Sequence, residues 1–387
     1  MVLRSKRDYL ESIRQRYRQA PRKMKGLILD EFCATCGYHR KYAIRLLRKP
    51  KRKLPAARVR KRPGPKSIYQ QPELVTTLKR LWFDTDQMCS KKLKAAIPLW
   101  LPFYEQEYGF VCESIKSKLL KASASTLDRL LRPSRVEHPK GRCGTKPGTL
   151  LKNQIPIKTS NWDVTRPGFF EADTVAHCGN SMAGDFVNSL TFTDIQTGWT
   201  ENRAVWGRGS YGVIQNIKEI EEGLPFPILG FDCDNGSEFL NHHLIRYFTD
   251  RPKKPVAFTR SRPYRKNDNA FVEQKNWTHV RQLLGYDRFD KPELVPLIND
   301  LYKNEWLLYT NFFCPTLKLK EKVKVNSKYR KTYEPPQTPY QRVIGSEHVS
   351  EEAKTRLEEI FGTLNPFALK RNIEEKLKRI FLAARLP

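Results

Sequence analysis

Pro227-Ile-Leu-Gly-Phe-Asp-Cys-Asp-Asn-Gly-Ser-Glu-Phe239 runs from an apolar segment into a polar turn. The residues up to Asp232 read as a strand, and Asn235-Gly236 breaks it before a helix over Ser237 to Phe248. Asp232 and Asp234 close the strand, and in an alternating strand they share one side. An acid on an apolar strand is expensive to bury unpaired. Two meanings are open: an exposed strand end that caps the next helix, or a working carboxylate.

The surroundings favour the second. Upstream, Gly168-Phe-Phe-Glu-Ala-Asp-Thr-Val175 reads as a strand with Asp173 in its middle. Phe186 to Thr193 and Trp199 to Val205 follow after short Gly- and Asn-containing turns, which makes an antiparallel meander. Ser210 to Glu222 is helical. Downstream of the quoted stretch, Val256 to Thr259 is a short strand and Asp268 to Leu284 a helix containing Glu273. A meander followed by alternating helices and strands is the element order of a ribonuclease-H-like fold. Acids at strand, strand and helix positions are what phosphoryl transfer without a covalent enzyme intermediate needs, because two divalent metals must be held by carboxylates. Carboxylate and water ligands suit Mg²⁺ or Mn²⁺.

Asp234-Asn-Gly-Ser-Glu-Phe239 resembles the second-carboxylate motif of integrase-core transposases and retroviral integrases. Arg262-Pro-Tyr-Arg-Lys-Asn-Asp-Asn-Ala-Phe-Val-Glu-Gln-Lys-Asn276 resembles their third-carboxylate segment. The resemblance covers residues 166–312 and implies that Asp173, Asp234 and Glu273 are the catalytic, metal-binding triad. Sixty residues separate the first pair and 38 the second, the latter slightly long for that family. Asn276, three after Glu273, fits the family pattern and counts among the candidate DNA contacts. The basic position expected seven after the Glu is Val280 here, so a DNA contact falls to Arg281, Lys275 or His279. The resemblance further implies two metal ions, double-stranded DNA (element ends and target) as partner, and a homo-oligomer on DNA. The His-His-Cys-Cys amino-terminal zinc domain of retroviral integrases has no counterpart, which favours the bacterial insertion-sequence branch.

The rest of the chain agrees with a DNA partner. There are 71 Lys+Arg against 41 Asp+Glu in 387 residues, a net charge of +30. That excess excludes an acidic solvating protein and is costly to a compact state unless a polyanion neutralises it. No apolar run approaches the ~18 residues of a membrane span, and residues 1–7 do not read as a signal peptide. The scattered cysteines are no disulfide framework, so the expected location is the cytoplasm, with the nucleoid. No Gly-x-x-x-x-Gly-Lys-Ser/Thr motif for ATP occurs.

Residues 1–50 read as a helix-turn-helix unit, with helices over Lys23–Phe32 and His39–Leu47 and candidate DNA contacts at Arg40, Lys41 and Arg45. Cys33, Cys36 and His39 invite a zinc reading that lacks a second ligand pair at finger spacing. Residues 51–66 form a basic, proline-rich linker whose Arg60, Lys61 and Arg62 suit a DNA backbone or minor groove. Residues 67–135 read as a second helical DNA-binding unit and 136–165 as a linker. The catalytic core spans 166–312. In 313–345, Lys318, Lys320, Lys322 and Lys324 alternate with apolar residues, a strand with one basic face for phosphates. Residues 346–387 form a helical tail. Asp194 reads as a possible rim residue of the site. His177, His242 and His243 read as surface residues. The whole is a multidomain chain: helical amino-terminal units, a central α/β ribonuclease-H-like core, a small basic β unit and a helical tail. The activity implied is that of a transposase; the rivals are a nuclease of the same fold and a non-catalytic helix-turn-helix regulator.

Overall fold

A computed structural model describes residues 3–48, 68–139, 164–207, 209–233, 239, 242–250, 256–260, 270–325 and 328–385. The chain divides into two compact units, Met1–Lys66 and Ser67–Pro387.

In the first unit, helices α1 (Leu3–Gln19), α2 (Arg22–Cys36) and α3 (Arg40–Arg48) close on a small core. Ile13 and Tyr17 meet Ile28, Leu29, Phe32 and Cys36, with Ala43 and Leu47 from α3. Helix α2 stops at Gly37, whose φ of +67° is cheap only for glycine and whose N–H reaches the Cys33 carbonyl at 2.8 Å. Helix α1 is an addition to the two helices expected from sequence; its charged surface conceals the few apolar residues it buries.

The second unit begins with α4 (Pro72–Asp84), α5 (Ser90–Tyr108), α6 (Glu113–Lys121) and α7 (Ala124–Glu137). Ser123 caps α7, its hydroxyl accepting from the Thr126 amide at 3.1 Å. A mixed sheet follows: β1 (Phe169–Ala176), β2 (Val187–Asp194), β3 (Thr200–Trp206), β4 (Gly230–Cys233) and β5 (Ala257–Arg260), in the order β3-β2-β1-β4-β5. The first three are antiparallel; β4 and β5 run parallel to β1. Helices α8 (Ser210–Gly223) and α9 (His242–Thr249) supply the crossovers. This is a mixed α/β core flanked by helices, with the element order expected from sequence.

The two faces of this sheet differ. One carries a run of stacked phenylalanines: Phe170 on Phe192 at 4.3 Å between centroids, Phe192 on Phe231 at 5.8 Å, Phe231 on Phe258 at 5.4 Å. Phe248 of α9 stacks on Phe231 at 4.7 Å and closes that side. The other face is polar. Register places Glu171, Asp173 and Val175 beside Thr193, Thr191 and Ser189, and Glu171 beside Asp232. It is covered by a long helical layer: α10 (Ala270–Lys275), a π-helical stretch Asn276–Arg281 and α11 (Gln282–Leu284), then α12 (Leu294–Asp300), a second π stretch Leu301–Trp306 and α13 (Leu307–Phe313). Two asparagines of that layer protect the β3 edge. Asn311 pairs with the Thr200 amide and carbonyl at 3.0 and 2.9 Å, Asn299 with those of Ala204 at 2.7 and 3.0 Å.

Beyond α13 come a two-stranded ribbon, β6 (Leu319–Val325) with β7 (Lys328–Tyr333), and helices α14 (Pro339–Ile344), α15 (Glu351–Thr363) and α16 (Pro366–Arg385). Helices α4–α7 and the carboxy-terminal helices share one core with the sheet. Trp100 of α5 stands edge-on to Tyr309, Phe313 and Phe367, and its indole N–H donates to the Phe313 carbonyl at 3.3 Å. The described residues from 68 onward, the ribbon apart, thus pack on one shared hydrophobic core. No helix among the described residues is long and apolar enough to cross a membrane.

Candidate active site

Asp173 sits in the middle of β1, on the polar face. Its Oδ1 accepts from the Thr174 amide at 2.8 Å and its Oδ2 from the Asn276 side chain at 2.7 Å. The second bond joins residues 103 apart in sequence and brings the helix of Glu273 onto β1. Glu273 itself is exposed, on the first turn of α10. Asp234 lies outside the described residues. Its chain neighbour Cys233 ends β4 directly opposite Ala172, the neighbour of Asp173.

Two further acids lie one layer deeper. Glu171 is 1% exposed and Asp232 5%. Glu171 Oε2 accepts from the amides of Phe271 and Val272 at 3.0 and 2.9 Å. Burial pushes its carboxyl up to about 8, against those two hydrogen bonds, and the charges of Asp232 and Glu273 push the same way. Asp232 accepts from the Thr259 hydroxyl at 2.6 Å. Glu171 is absent from the residues expected from sequence, although a signal was present: two residues before Asp173 in a strand means the same face.

Several basic candidates are placed otherwise than expected. Lys275 is buried, 7% exposed, and donates to the Gly198 carbonyl at 3.1 Å. Burial first, then the charges of Lys92 and Arg342, bring its ammonium down to about 7. Its side of α10 faces the β2–β3 turn. His279 is buried as well, its ring edge-on to Trp306 at 6.0 Å. Arg281 spends its guanidinium on the carbonyls of Ala176 and Gly285 at 2.9 and 3.3 Å and stacks on Tyr286. It ties β1 to the helix. Asn276, expected from sequence among the DNA-binding residues, turns inward to Asp173.

Asp194, expected at the rim, is buried and holds a turn: it accepts from the Gly168 amide at 2.8 Å and from the Thr197 amide and hydroxyl at 2.6 Å each. His177, expected at the surface, is fully buried; Nε2 meets Ser189 Oγ at 2.8 Å, and Ser189 meets the Tyr302 hydroxyl at 2.8 Å. His243 is exposed; the side chain of His242 lies outside the described residues, as do Glu238 and Asp268.

Outside the core, Arg40, Lys41 and Arg45 are placed on α3, where all three are exposed. Arg40 pairs with Asp30, and Arg45 lies over the Tyr42 ring at 5.0 Å. Cys36 is buried in the helical core and His39 is exposed; among the described residues no three His, Cys, Asp or Glu gather to hold a metal. Arg60, Lys61 and Arg62 lie outside the described residues. Just before the ribbon, Lys318 is half-buried and donates to the Gln196 carbonyl at 2.9 Å, whereas Lys320 on β6 is exposed. The backbone register sets Lys322 opposite Lys331 and Lys324 opposite Tyr329; the side chains of Lys322 and Lys324 lie outside the described residues. A cavity of about 560 Å³ between α8 and α9, lined by Tyr211, Lys218, Arg246 and Tyr247, opens on the phenylalanine side of the sheet, away from the acids.

No protein-family model matches the chain. The uncharacterized protein y4rM of Sinorhizobium fredii (strain NBRC 101917 / NGR234) is 39% identical over 340 residues, covering 87% of this chain and 94% of that protein. The chain belongs to the y4rM family. Among solved structures, the y4rM-family chain is similar to the catalytic core domain of BIV integrase, at 16% identity and a TM-score of 0.28 over 47% of this chain and 96% of that one. The HTLV-2 integrase catalytic core domain in complex with magnesium matches at 16% identity and a TM-score of 0.28, over 39% and 90% respectively.

Proposed function

We propose that this protein is a DDE-type transposase, a polynucleotidyl transferase that cuts DNA at the ends of an insertion sequence and joins the freed 3′-OH to target DNA. The observation that carries this reading is the Asn276–Asp173 hydrogen bond at 2.7 Å, which sets the Glu273 helix on the central strand. β4 ends beside that strand at Cys233, one peptide bond before Asp234. Asp173 and the helix that carries Glu273 are thus joined on the polar face, which supports the reading of these acids as one site.

Asp173, Asp234 and Glu273 would hold two Mg²⁺ or Mn²⁺ ions. The donors are oxygens only, which suits those cations over zinc. When bound, such ions supply charge stabilisation to the attacking and leaving oxygens of an in-line displacement. The chain supplies the geometry. Thr174 and Asn276 fix the rotamer of Asp173, and the helical run from Ala270 fixes the backbone position from which Glu273 projects.

The basic surfaces would hold the DNA. Arg40, Lys41 and Arg45 on α3 would read element ends as part of a helix-turn-helix. Arg60, Lys61 and Arg62 would follow the backbone, and the ribbon with Lys320, Lys322 and Lys324 would lie along phosphates without reading bases. Joining two ends requires both to be held at once, so a homo-oligomer assembled on DNA in the bacterial cytoplasm completes the proposal.

The reading expects short inverted repeats in the DNA flanking the gene, and these would supply the substrates for a test. The purified chain is given a pre-cut end carrying a free 3′-OH, a plasmid target and Mg²⁺. Joined product is the expected result. Cleavage without joining would favour the hydrolytic nuclease, and binding with neither reaction the non-catalytic regulator.

A further inference from the structure

We infer that Glu171 is a positioning residue: it sets where Glu273 stands relative to Asp173 by holding the start of the Glu273 helix on β1. The role it serves rests on the transposase reading; the attachment itself does not.

A carboxyl in the middle of a central strand is a costly choice where an apolar side chain would pack, unless it is hydrogen-bonded. Glu171 is bonded to two amides that need an acceptor. The N–H groups of a helix's first turn have none within the helix. Phe271 and Val272 are in the first turn of α10, and both donate to Glu171 Oε2 at 3.0 and 2.9 Å. The acceptor comes from a strand 100 residues earlier, so the bond fixes the helix to the sheet as well as satisfying it. Glutamate has one methylene more than aspartate for that reach.

The spacing of the attachment agrees on both elements. Glu171 and Asp173 are two residues apart on a strand, roughly 6.6 Å at 3.3 Å per residue. Val272 and Asn276 are four residues apart on a helix, roughly 6 Å at 1.5 Å per residue. Two rungs therefore join β1 to the helix in register: Glu171 to the amides at 271 and 272, and Asp173 to Asn276. Glu273 lies between them. One rung alone would let the helix rotate about it, and the Asn276 rung uses an oxygen of the proposed ligand Asp173. The Glu171 rung uses no ligand atom. Asp232, opposite Glu171 in register and two residues before Asp234, is held by Thr259 in the same deeper layer.

The test compares Glu171→Ala and Glu171→Gln in the full chain. The glutamine amide oxygen can accept the same two N–H bonds; alanine accepts none. Amide hydrogen exchange is followed over residues 270–284, and Mn²⁺ binding by electron paramagnetic resonance. In the alanine variant, exchange at 271–276 should quicken at least tenfold and Mn²⁺ affinity fall about tenfold, as for loss of a residue that orients a metal ligand. The glutamine variant should stay within about twofold of the natural chain in both, since its acceptor is retained. Unchanged exchange and Mn²⁺ binding in the alanine variant overturn the inference, and so does a glutamine variant as impaired as the alanine one. If the alanine variant does not fold, Phe271→Pro deletes one donor at an exposed first-turn position that tolerates proline; faster exchange at 272–276 then supports the anchor and unchanged exchange overturns it. If the natural chain binds no Mn²⁺, the transposase reading fails, while the exchange measurement still decides the anchor.

Discussion

His177 and Lys275 are both charged or chargeable in water and both buried here. The neutral His177 ring meets Ser189 on one nitrogen and leaves Nδ1 without a hydrogen-bond partner, and burial, then Arg281, brings its pKa down to about 3. The folded value lies below the unfolded one near 6.5, so the unfolded chain binds the extra proton between those values. The contribution of His177 to stability is present in full above pH 6.5 and is lost as pH falls toward 3. Between pH 6.5 and 5, unfolding free energy from denaturant titration should drop by about 1.4 kcal/mol per pH unit less in His177→Gln than in the natural chain. Parallel slopes would contradict the burial of a neutral ring. Lys275 has the same sign: its folded value near 7 lies below the unfolded 10.5, so it costs stability at neutral pH and stability rises as pH increases through that window. Lys275→Met should raise the melting temperature at pH 7 and flatten that rise; a lowered melting temperature would speak for a paired, stabilising ammonium. Neither burial is legible in the sequence. Lys275 stands two residues from an exposed Glu273, and only the side of the helix distinguishes them.

At the scale of elements, periodicity carries most of what the sequence reveals. The meander and the crossovers are legible because apolar runs alternate with Gly- and Asn-rich turns. The helix beyond Asp268 is legible too, though not the π-helical stretch at Asn276–Arg281, since one extra residue per turn leaves no mark on composition. Alternation in the Lys-rich segment predicts one strand with a dry and a wet side. The structure has a ribbon of two strands, and its alternating apolar residues are not buried: Leu319 is 45% exposed and Val323 43%. A two-stranded ribbon has no second layer to give it a core. Its exposed Lys320, Arg330 and Lys331 remain available to phosphates. Replacing these three with Gln should weaken binding equally for all DNA sequences. The slope of log affinity against log salt should become shallower by about 0.9 for each phosphate no longer neutralised. Weakening confined to element-end DNA would instead assign base readout to the ribbon.

The whole molecule is where sequence is least able to help. Local pattern marks linkers and helices, but not which helices share a core. Trp100 lies more than 200 residues from Phe313 and Phe367 and packs against both. Trp100→Ala should cost about 3–5 kcal/mol, the usual range for a buried tryptophan. The loss should appear as a lower midpoint of one cooperative transition reported by both the sheet and helices α4–α7. Two separated transitions would mean that those helices fold apart from the sheet. The proposed triad rests on spacing and motif, and it is the point on which the proposed function depends. The most direct measurement is Mg²⁺-dependent cleavage and joining of element-end DNA by the natural chain and by Asp234→Asn, with binding to the same DNA measured in parallel. Binding should survive the substitution while cleavage and joining disappear. Cleavage that persists in Asp234→Asn would contradict the assignment of the metal site.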